Sequence, residues 1–432
     1  MFISHERSIP GKGSIARPGI LRLGMTACSL LIRFSTYAVI ARTVGPQGFG
    51  IILFAQWLAN VPLPIIGVGM SPLTNRRIAE IQSCEPLRSV AGIFRFVWRQ
   101  QCRRALLYCA AYIPLAFTLS LLFKETIPLL LLLLTGLSAL PLLLSNVVGM
   151  TLQGIRRYDL LAMLRLFNAL LNFLLVVLTT QIRNEQMAAL LLAPAFAHVV
   201  TLTIALFCIM RLLPLREALK PGPLLTERIR QSLRHPVLLF ILDVIVWREL
   251  LLLILFLIHW HNTAELGFYT FSLLLCTRIM EVAPTLLTTC VIPLFSHLFP
   301  GHHYTNAYDA FVKTSCSIAL LAVFIYTILT FSSPFLIVTC FGSAYRPMIL
   351  PLRILLIGAV FGSIATVSLT YLTRSEQRRE QVWLAIGAAL VHVVLAVPCI
   401  LILGMVGAAI ASAIAHIIST TGFIVVCRKL LI

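Results

Sequence analysis

Residues 236–258 read PVLLFILDVIVWRELLLLILFLI. The stretch is long enough to cross a bilayer as a helix, which needs about 20 residues. Yet Asp243, Arg248 and Glu249 stand near its middle. Each such charge costs roughly 2.5–3.5 kcal/mol at a helix centre, or about 8–10 kcal/mol for the three. The eighteen Val, Leu, Ile and Phe residues around them contribute roughly 5–11 kcal/mol in the other direction. Insertion is therefore close to break-even, and the charges need partners on other helices or a wet cavity. At about 100° per residue Arg248 and Glu249 share one side of the helix, while Asp243 lies about 140° and 120° from them. All three cannot face one narrow cleft. Ionisable residues in a span mark substrate or ion paths, or else form internal ion pairs that fix helix packing. Both readings stay open here.

The rest of the chain has the same character. Of 432 residues 59% are hydrophobic and 11% charged, and the mean hydropathy is +0.97. That composition excludes an ordinary soluble domain and indicates an all-α, polytopic membrane protein. A formal net charge of +19 invites a nucleic-acid reading, but the basic residues sit in short clusters between apolar spans, which points to no nucleic-acid partner. Eleven cysteines are scattered singly, without CxxC or Cys/His ligand spacing, so neither a disulfide framework nor a metal site is expected. No cofactor motif appears. The first apolar span lacks a signal-peptidase-like end and is expected to remain as a membrane helix.

Twelve spans are predicted, at about 20–43, 47–71, 104–123, 127–153, 158–181, 187–210, 236–258, 265–292, 312–332, 347–372, 381–402 and 405–427. They define an N-terminal segment 1–19, a six-helix half 20–210, a linker 211–235 and a second half 236–432. An even number of spans puts both termini on one side. The segments on that side hold 24 Lys and Arg, the opposite segments hold four (Arg42, Lys124, Arg183 and Arg346), and the other six lie within spans. The positive-inside rule therefore makes both termini cytoplasmic. Two cytoplasmic segments, Ser71–Arg104 and Arg211–His235, carry seven and six basic residues and suit contact with anionic lipid head groups.

The halves repeat. VGPQGFGIILFAQ (44–56) follows the first span and NTAELGFYTFSLL (262–274) follows the seventh; aligning Gly50 with Gly267 gives an offset of 217 residues, half the chain. The same offset carries Arg33 to position 250, beside Arg248 and Glu249. Duplicated transporters commonly bind their substrate at the repeat interface near mid-bilayer.

GPQGFG after the first helix, AELGFYTFSLLLCTRIMEVAPTLL after the seventh, FGSAYRPMILPLRILLIGAVF before the tenth and GMVGAAIASAIAH at the twelfth resemble the polysaccharide-biosynthesis (Wzx-type) flippases. These belong to the MOP superfamily, which also holds the MATE multidrug exporters and the lipid II flippases. The resemblance runs in order along nearly the whole chain. It implies two pseudo-symmetric six-helix bundles in a MATE-like V. It further implies a bacterial inner (plasma) membrane transporter that is not an enzyme. Such a protein flips a polyprenyl-diphosphate-linked oligosaccharide outward for O-antigen or related lipopolysaccharide synthesis, with a polymerase and glycosyltransferases as pathway partners. Where many relatives have a Gly-Arg-x-Lys turn after helix 10, this chain has LTRSEQRREQ, which leaves the gate near Arg374 open to question.

No catalytic constellation and no Walker loop are present. What remains is a set of deep charges: Arg33, Arg165, Arg248 and Arg278 as substrate-binding candidates, Asp243, Glu249 and Glu281 as ion-coupling candidates for H⁺ or Na⁺. Arginine binds phosphate bidentately, which suits a diphosphate head group. Arg278 and Glu281 stand at i,i+3 and can simply pair with each other. Helix 1 has no acid between Ile20 and Thr43, so Arg33 needs a partner from another helix or an anionic ligand. Arg22 and Arg353 lie nearer span ends and can snorkel. Gln56, Asn60, Asn146, Asn168 and Asn172 suit helix–helix hydrogen bonding, and His198, His392 and His416 suit packed, hydrogen-bonded roles. Pro62, Pro64, Pro141 and Pro284 are candidate bends. The competing functions are a cation-coupled exporter of small amphipathic molecules, and a scaffold for glycosyltransferases.

The charge split predicts a labelling pattern. Cysteines introduced at Glu125 and Asn262 should react with an impermeant thiol reagent on intact cells, and one at Pro221 should not. The reverse pattern would invert the topology.

Overall fold

The structure is a computed structural model that describes residues 16–60, 62–63, 87–122, 128–181, 186–215, 263–280, 307–374 and 378–431. The described residues form nine α-helices: α1 (Ala16–Asn60), α2 (Leu87–Leu122), α3 (Leu129–Gly154), α4 (Tyr158–Thr179), α5 (Gln186–Leu212), α6 (Thr263–Met280), α7 (Ala307–Phe341), α8 (Ile349–Arg374) and α9 (Arg378–Leu431). A short 3-10 turn, Ser343–Met348, joins α7 to α8. Eight helical segments among the described residues are long and apolar enough to cross a membrane. Their outward faces carry large apolar side chains, such as Leu106, Phe117, Leu174, Phe331 and Ile402, as lipid contact requires. The protein is a multi-pass membrane protein. The stretch 236–258, with Asp243, Arg248 and Glu249, lies outside the described residues, as does Glu281.

Expected pairs of spans merge in two places, and in both the break is a glycine. Spans 1 and 2 join within α1 across Gly45 at φ 70°, and spans 11 and 12 join within α9 across Gly404 at φ 56°. These left-handed values cost little only for residues without a Cβ. Of the candidate bends, Pro141 sits inside α3, as Pro114, Pro194 and Pro334 do in α2, α5 and α7. A second correction concerns the basic segment Ser71–Arg104, whose last part is no loop. From Leu87 onward it is the first half of α2. Val90, Ile93, Phe94 and Val97 pack that half against Val147, Leu152, Ile209 and Leu213 of α3, α5 and the residue after α5. Arg88, Arg95, Arg99 and Arg103 form one exposed stripe, in line with the exposed Leu106, Ile113, Phe117 and Leu121. One helix face thus changes from arginine to hydrocarbon at about Arg103, which marks the membrane boundary.

The two halves meet where α1 and α6 cross. Gly50 and Gly267, equivalent under the 217-residue repeat, touch each other: a Cβ on Gly267 would stand 2.6 Å from the Gly50 Cα. Small residues permit such backbone contact, and dispersion then replaces the hydrophobic driving force that lipid removes. Around this contact Phe49 and Phe271 lie edge to face at 5.3 Å, and Phe271 meets Tyr37 at 5.5 Å and Phe341 at 5.0 Å. Tyr345 joins Phe49 at 6.0 Å and Phe268 at 5.6 Å. Gly342 at φ 104° turns the chain so that the Tyr345 hydroxyl donates to the Ala41 carbonyl at 2.8 Å. Beside it the Arg42 guanidinium donates to the carbonyls of Cys340 (2.7 Å) and Thr339. The halves are therefore sealed together beside the Gly45 break of α1. Small residues of α9 also allow close packing: Ala408, Ala411, Ser412 and Ala415 are buried, and a Cβ on Gly358 of α8 would meet the Ala413 Cα at 2.8 Å.

The glycine contact yields a test. Gly267→Val should strain the seal by about 1–3 kcal/mol, the usual cost of overpacking. The expected outcome is a lower melting temperature and faster thiol labelling of an Ala41→Cys reporter; unchanged values for both would show that the crossing is not tightly packed.

Candidate functional site

On the other side of this seal, α1, α3, α4 and α5 enclose a cavity of about 990 Å³. Helical periodicity builds its walls. Ser29, Arg33, Thr36, Tyr37 and Ile40 follow one face of α1; Ser138, Leu142, Ser145, Gly149 and Gln153 follow one face of α3. Arg165, Asn168, Asn172 and Val176 do the same on α4, and Pro194, His198, Thr201 and Ala205 on α5. The second half contributes Leu274 of α6, one turn beyond Phe271. Tyr37 and Leu274 make the end of the cavity next to the seal; Thr26, Gln153 and Ala205 make the opposite end. Among the described residues the lining includes two arginines, Arg33 and Arg165, and no aspartate or glutamate.

Arg33 is tied into a network across three helices. Its Nη2 donates to Asn168 Oδ1 at 3.1 Å. Because arginine only donates, this contact fixes the amide orientation, so Asn168 Nδ2 is the donor toward Thr201 Oγ1 and His198 Nδ1, both at 3.2 Å. His198 then accepts at Nδ1 and carries its ring proton at Nε2. Thr201 passes its own proton to the Ala197 carbonyl at 2.7 Å. A neutral amide thus orients the Arg33 guanidinium from α4. Arg165, one turn from Asn168 on the same helix face, is exposed along the cavity wall.

The sequence-derived candidates divide accordingly. Arg33 and Arg165 come together in one cavity. Arg278 belongs to α6, with its side chain outside the described residues, and Arg248, Asp243, Glu249 and Glu281 lie outside them altogether. The expected partner of Arg33 across the repeat, Arg248, is among the residues outside the description; among the described residues Arg33 shares its cavity with Arg165. Asn168 is helix glue as expected, and also cavity wall; Gln56, Asn60, Asn146 and Asn172 line the cavity as well. His392 is buried, with Nε2 at 3.4 Å from Ser412 Oγ. Arg353, half-buried, donates from Nε to the Thr330 carbonyl (3.2 Å) and Ser333 Oγ (3.3 Å) of α7. Sequence reading missed Ser29, Ser138, Ser145, Gln153 and Thr201. Their three- and four-residue spacing on one face was the available signal, but such residues are ordinary in membrane helices.

No family model matches the chain, and neither does any curated protein. Solved structures do match, along almost its whole length. A multidrug resistance MATE family transporter of the MOP superfamily, in an inward-facing conformation, superposes with a TM-score of 0.71 at 13% identity, over 96% of this chain and 98% of that one. The lipid II flippase MurJ in an inward closed conformation gives 0.63 at 12% identity, over 95% and 87%. A MOP superfamily transporter from Pyrococcus furiosus, described by a binding pocket of reverse polarity that suggests a different function, gives 0.57 at 13% identity, over 96% and 94%. The chain has the all-helical fold of the MOP superfamily transporters.

The Asn168 network predicts opposite outcomes for two substitutions. Asn168→Leu leaves a guanidinium and a ring nitrogen without this partner, which costs about 1–3 kcal/mol and lowers the melting temperature. Asn168→Asp keeps an acceptor and pairs it with Arg33, so the fold should hold while the cavity loses one unit of positive charge. Equal melting temperatures for the two variants would show that the network carries no stability.

Proposed function

We propose that this chain is a flippase for a polyprenyl-diphosphate-linked oligosaccharide, moving it from the cytoplasmic to the outer leaflet by alternating access. The observation that carries the reading is the cavity lining, in which Arg33 and Arg165 supply positive charge and no carboxylate is present among the described residues. Fixed guanidinium groups in a low-dielectric wall suit a diphosphate, whose oxygens accept paired N–H donors. A cation exporter would face repulsion at the same place. The fold supports a transporter, and a lipid-linked substrate is what the flippase neighbour's name describes for that protein.

With the termini cytoplasmic, as the charge split implies, the seal at Ala41, Arg42 and Tyr345 is the outer gate. The cavity then opens toward the cytoplasm near Thr26 and Gln153, and the bound head group lies against α1 and α4. Transport requires the aromatic cluster around Phe271 to part and the cytoplasmic side to close. Arginines 248 and 278 and the acids 243, 249 and 281 belong, in this reading, to the second half's share of the path, with H⁺ or Na⁺ as the coupling ion. The inner membrane is the setting, and a polymerase and glycosyltransferases act before and after the flip.

Removing one charge-assisted hydrogen bond to phosphate costs about 1.5–3 kcal/mol, roughly 10- to 150-fold in affinity. Arg33→Ala and Arg165→Ala should each cause lipid-linked oligosaccharide to accumulate on the cytoplasmic leaflet at normal protein abundance. Arg33→Lys should be nearly as damaging, since lysine keeps the charge and loses the fork. Normal export by a well-folded double alanine variant would sink the assignment.

A further inference from the structure

The last four carbonyls of an α-helix have no partner within it, and together they carry roughly half a negative charge. At the end of α7 these groups are satisfied in two ways. The Gly342 N–H donates to the Val338 carbonyl at 3.0 Å, within the same half. The carbonyls of Thr339 and Cys340 accept instead from Arg42 of α1, in the other half. The last turn of α7 has no basic residue of its own, so the cation that suits this helix end comes from across the seal.

Arg42 uses Nε and Nη2 for these bonds. That edge of a guanidinium is a fork for the paired oxygens of one carboxylate or phosphate. The two carbonyl oxygens stand where such an anion would stand, but they are neutral groups sharing a partial charge, and a phosphate brings at least one full charge. Exposure makes an exchange possible. Arg42 is exposed, so an anion can reach it; Thr339 is exposed, so water can satisfy the carbonyl that Arg42 leaves. Arg346, exposed in the 3-10 turn directly after Tyr345, adds a second cation at this end. Arg42 is not among the residues that line the cavity. Giving up the two carbonyls unfastens a tie between the halves and leaves the Tyr345 hydroxyl on Ala41 to hold them.

We infer that Arg42 is an exchangeable latch and the anion site on the release side: it holds the α7 carbonyls while the seal is shut, and a phosphate group of the cargo once the seal opens. This rests on the flippase reading, in which this end faces outward. An anion that takes the fork frees α1 from α7. When the head group leaves for the outer leaflet, the fork returns to Thr339 and Cys340 and the seal shuts.

The test follows thiol labelling of an Ala41→Cys reporter in purified full-length protein in detergent, with the rate of the parent chain subtracted. Ala41 has no exposed surface while the seal is shut, so labelling reads its opening. Inorganic pyrophosphate should speed labelling about tenfold over sodium chloride of equal ionic strength, the value of one exchanged hydrogen bond. Arg42→Gln should label fast without pyrophosphate and gain less than about twofold from it. If Arg42→Gln does not fold, Arg42→Lys keeps the charge, loses the fork and carries the comparison. Tyr345→Phe should loosen the seal yet keep the pyrophosphate response, because the fork is intact. Labelling of the reporter that pyrophosphate leaves unchanged or slows, or an equal response in the Arg42 variant, would overturn the latch. So would a response to phosphatidylglycerol in mixed micelles and none to pyrophosphate, since the ligand would then be a bilayer lipid. Failure of the underlying reading looks different: the Arg33→Ala, Arg165→Ala variant would export normally while the pyrophosphate response persists.

Discussion

Everything else in the arrangement depends on the backbone contact between Gly50 and Gly267. In lipid there is no hydrophobic force to bring two helices together, so a crossing must be held by close packing. Two residues without side chains let α1 and α6 touch, and the aromatic rings of Phe49, Phe271, Phe341 and Tyr345 then close around the contact. Edge-to-face pairs of this kind are worth about 0.5–1.5 kcal/mol each beyond their burial. Because the contact lies beside the Gly45 break within α1, the halves are joined there and the space between α1, α3, α4 and α5 is left open below it. The cavity is the counterpart of the seal, and Tyr37 and Leu274 belong to both.

The same scarcity of water governs the polar groups. Backbone groups in the spans are satisfied within helices, and hydroxyls such as those of Ser29, Thr36 and Thr201 turn back onto their own helices. Arg33 cannot be satisfied that way, and the fold answers with a neutral amide from another helix. Asn168 in turn orders His198 and Thr201, so one guanidinium organises the side chains of three helices.

Much of the architecture was legible in the chain itself. The apolar runs marked the spans, because twenty consecutive apolar residues have no other stable setting. The repeat marked by Gly50 and Gly267 was visible as an offset, and its contact is where the halves join. Arg33 and Arg165 were legible as deep charges for the same reason that the spans were: hydrocarbon makes an isolated charge conspicuous. The helical start of α2 was hidden, since Arg88, Arg95, Arg99 and Arg103 lower the hydropathy of a segment whose opposite face is buried.

The sequence alone determined the class of environment, the helices and the residues that need partners, because transfer free energies and helical periodicity are local properties. Tertiary structure decided which partners they have. That Arg33 meets Asn168 across 135 positions, and that Arg165 shares its cavity, both follow from how helices pack. Helix packing is set by many weak contacts summed over whole faces, and no short stretch of residues carries that sum.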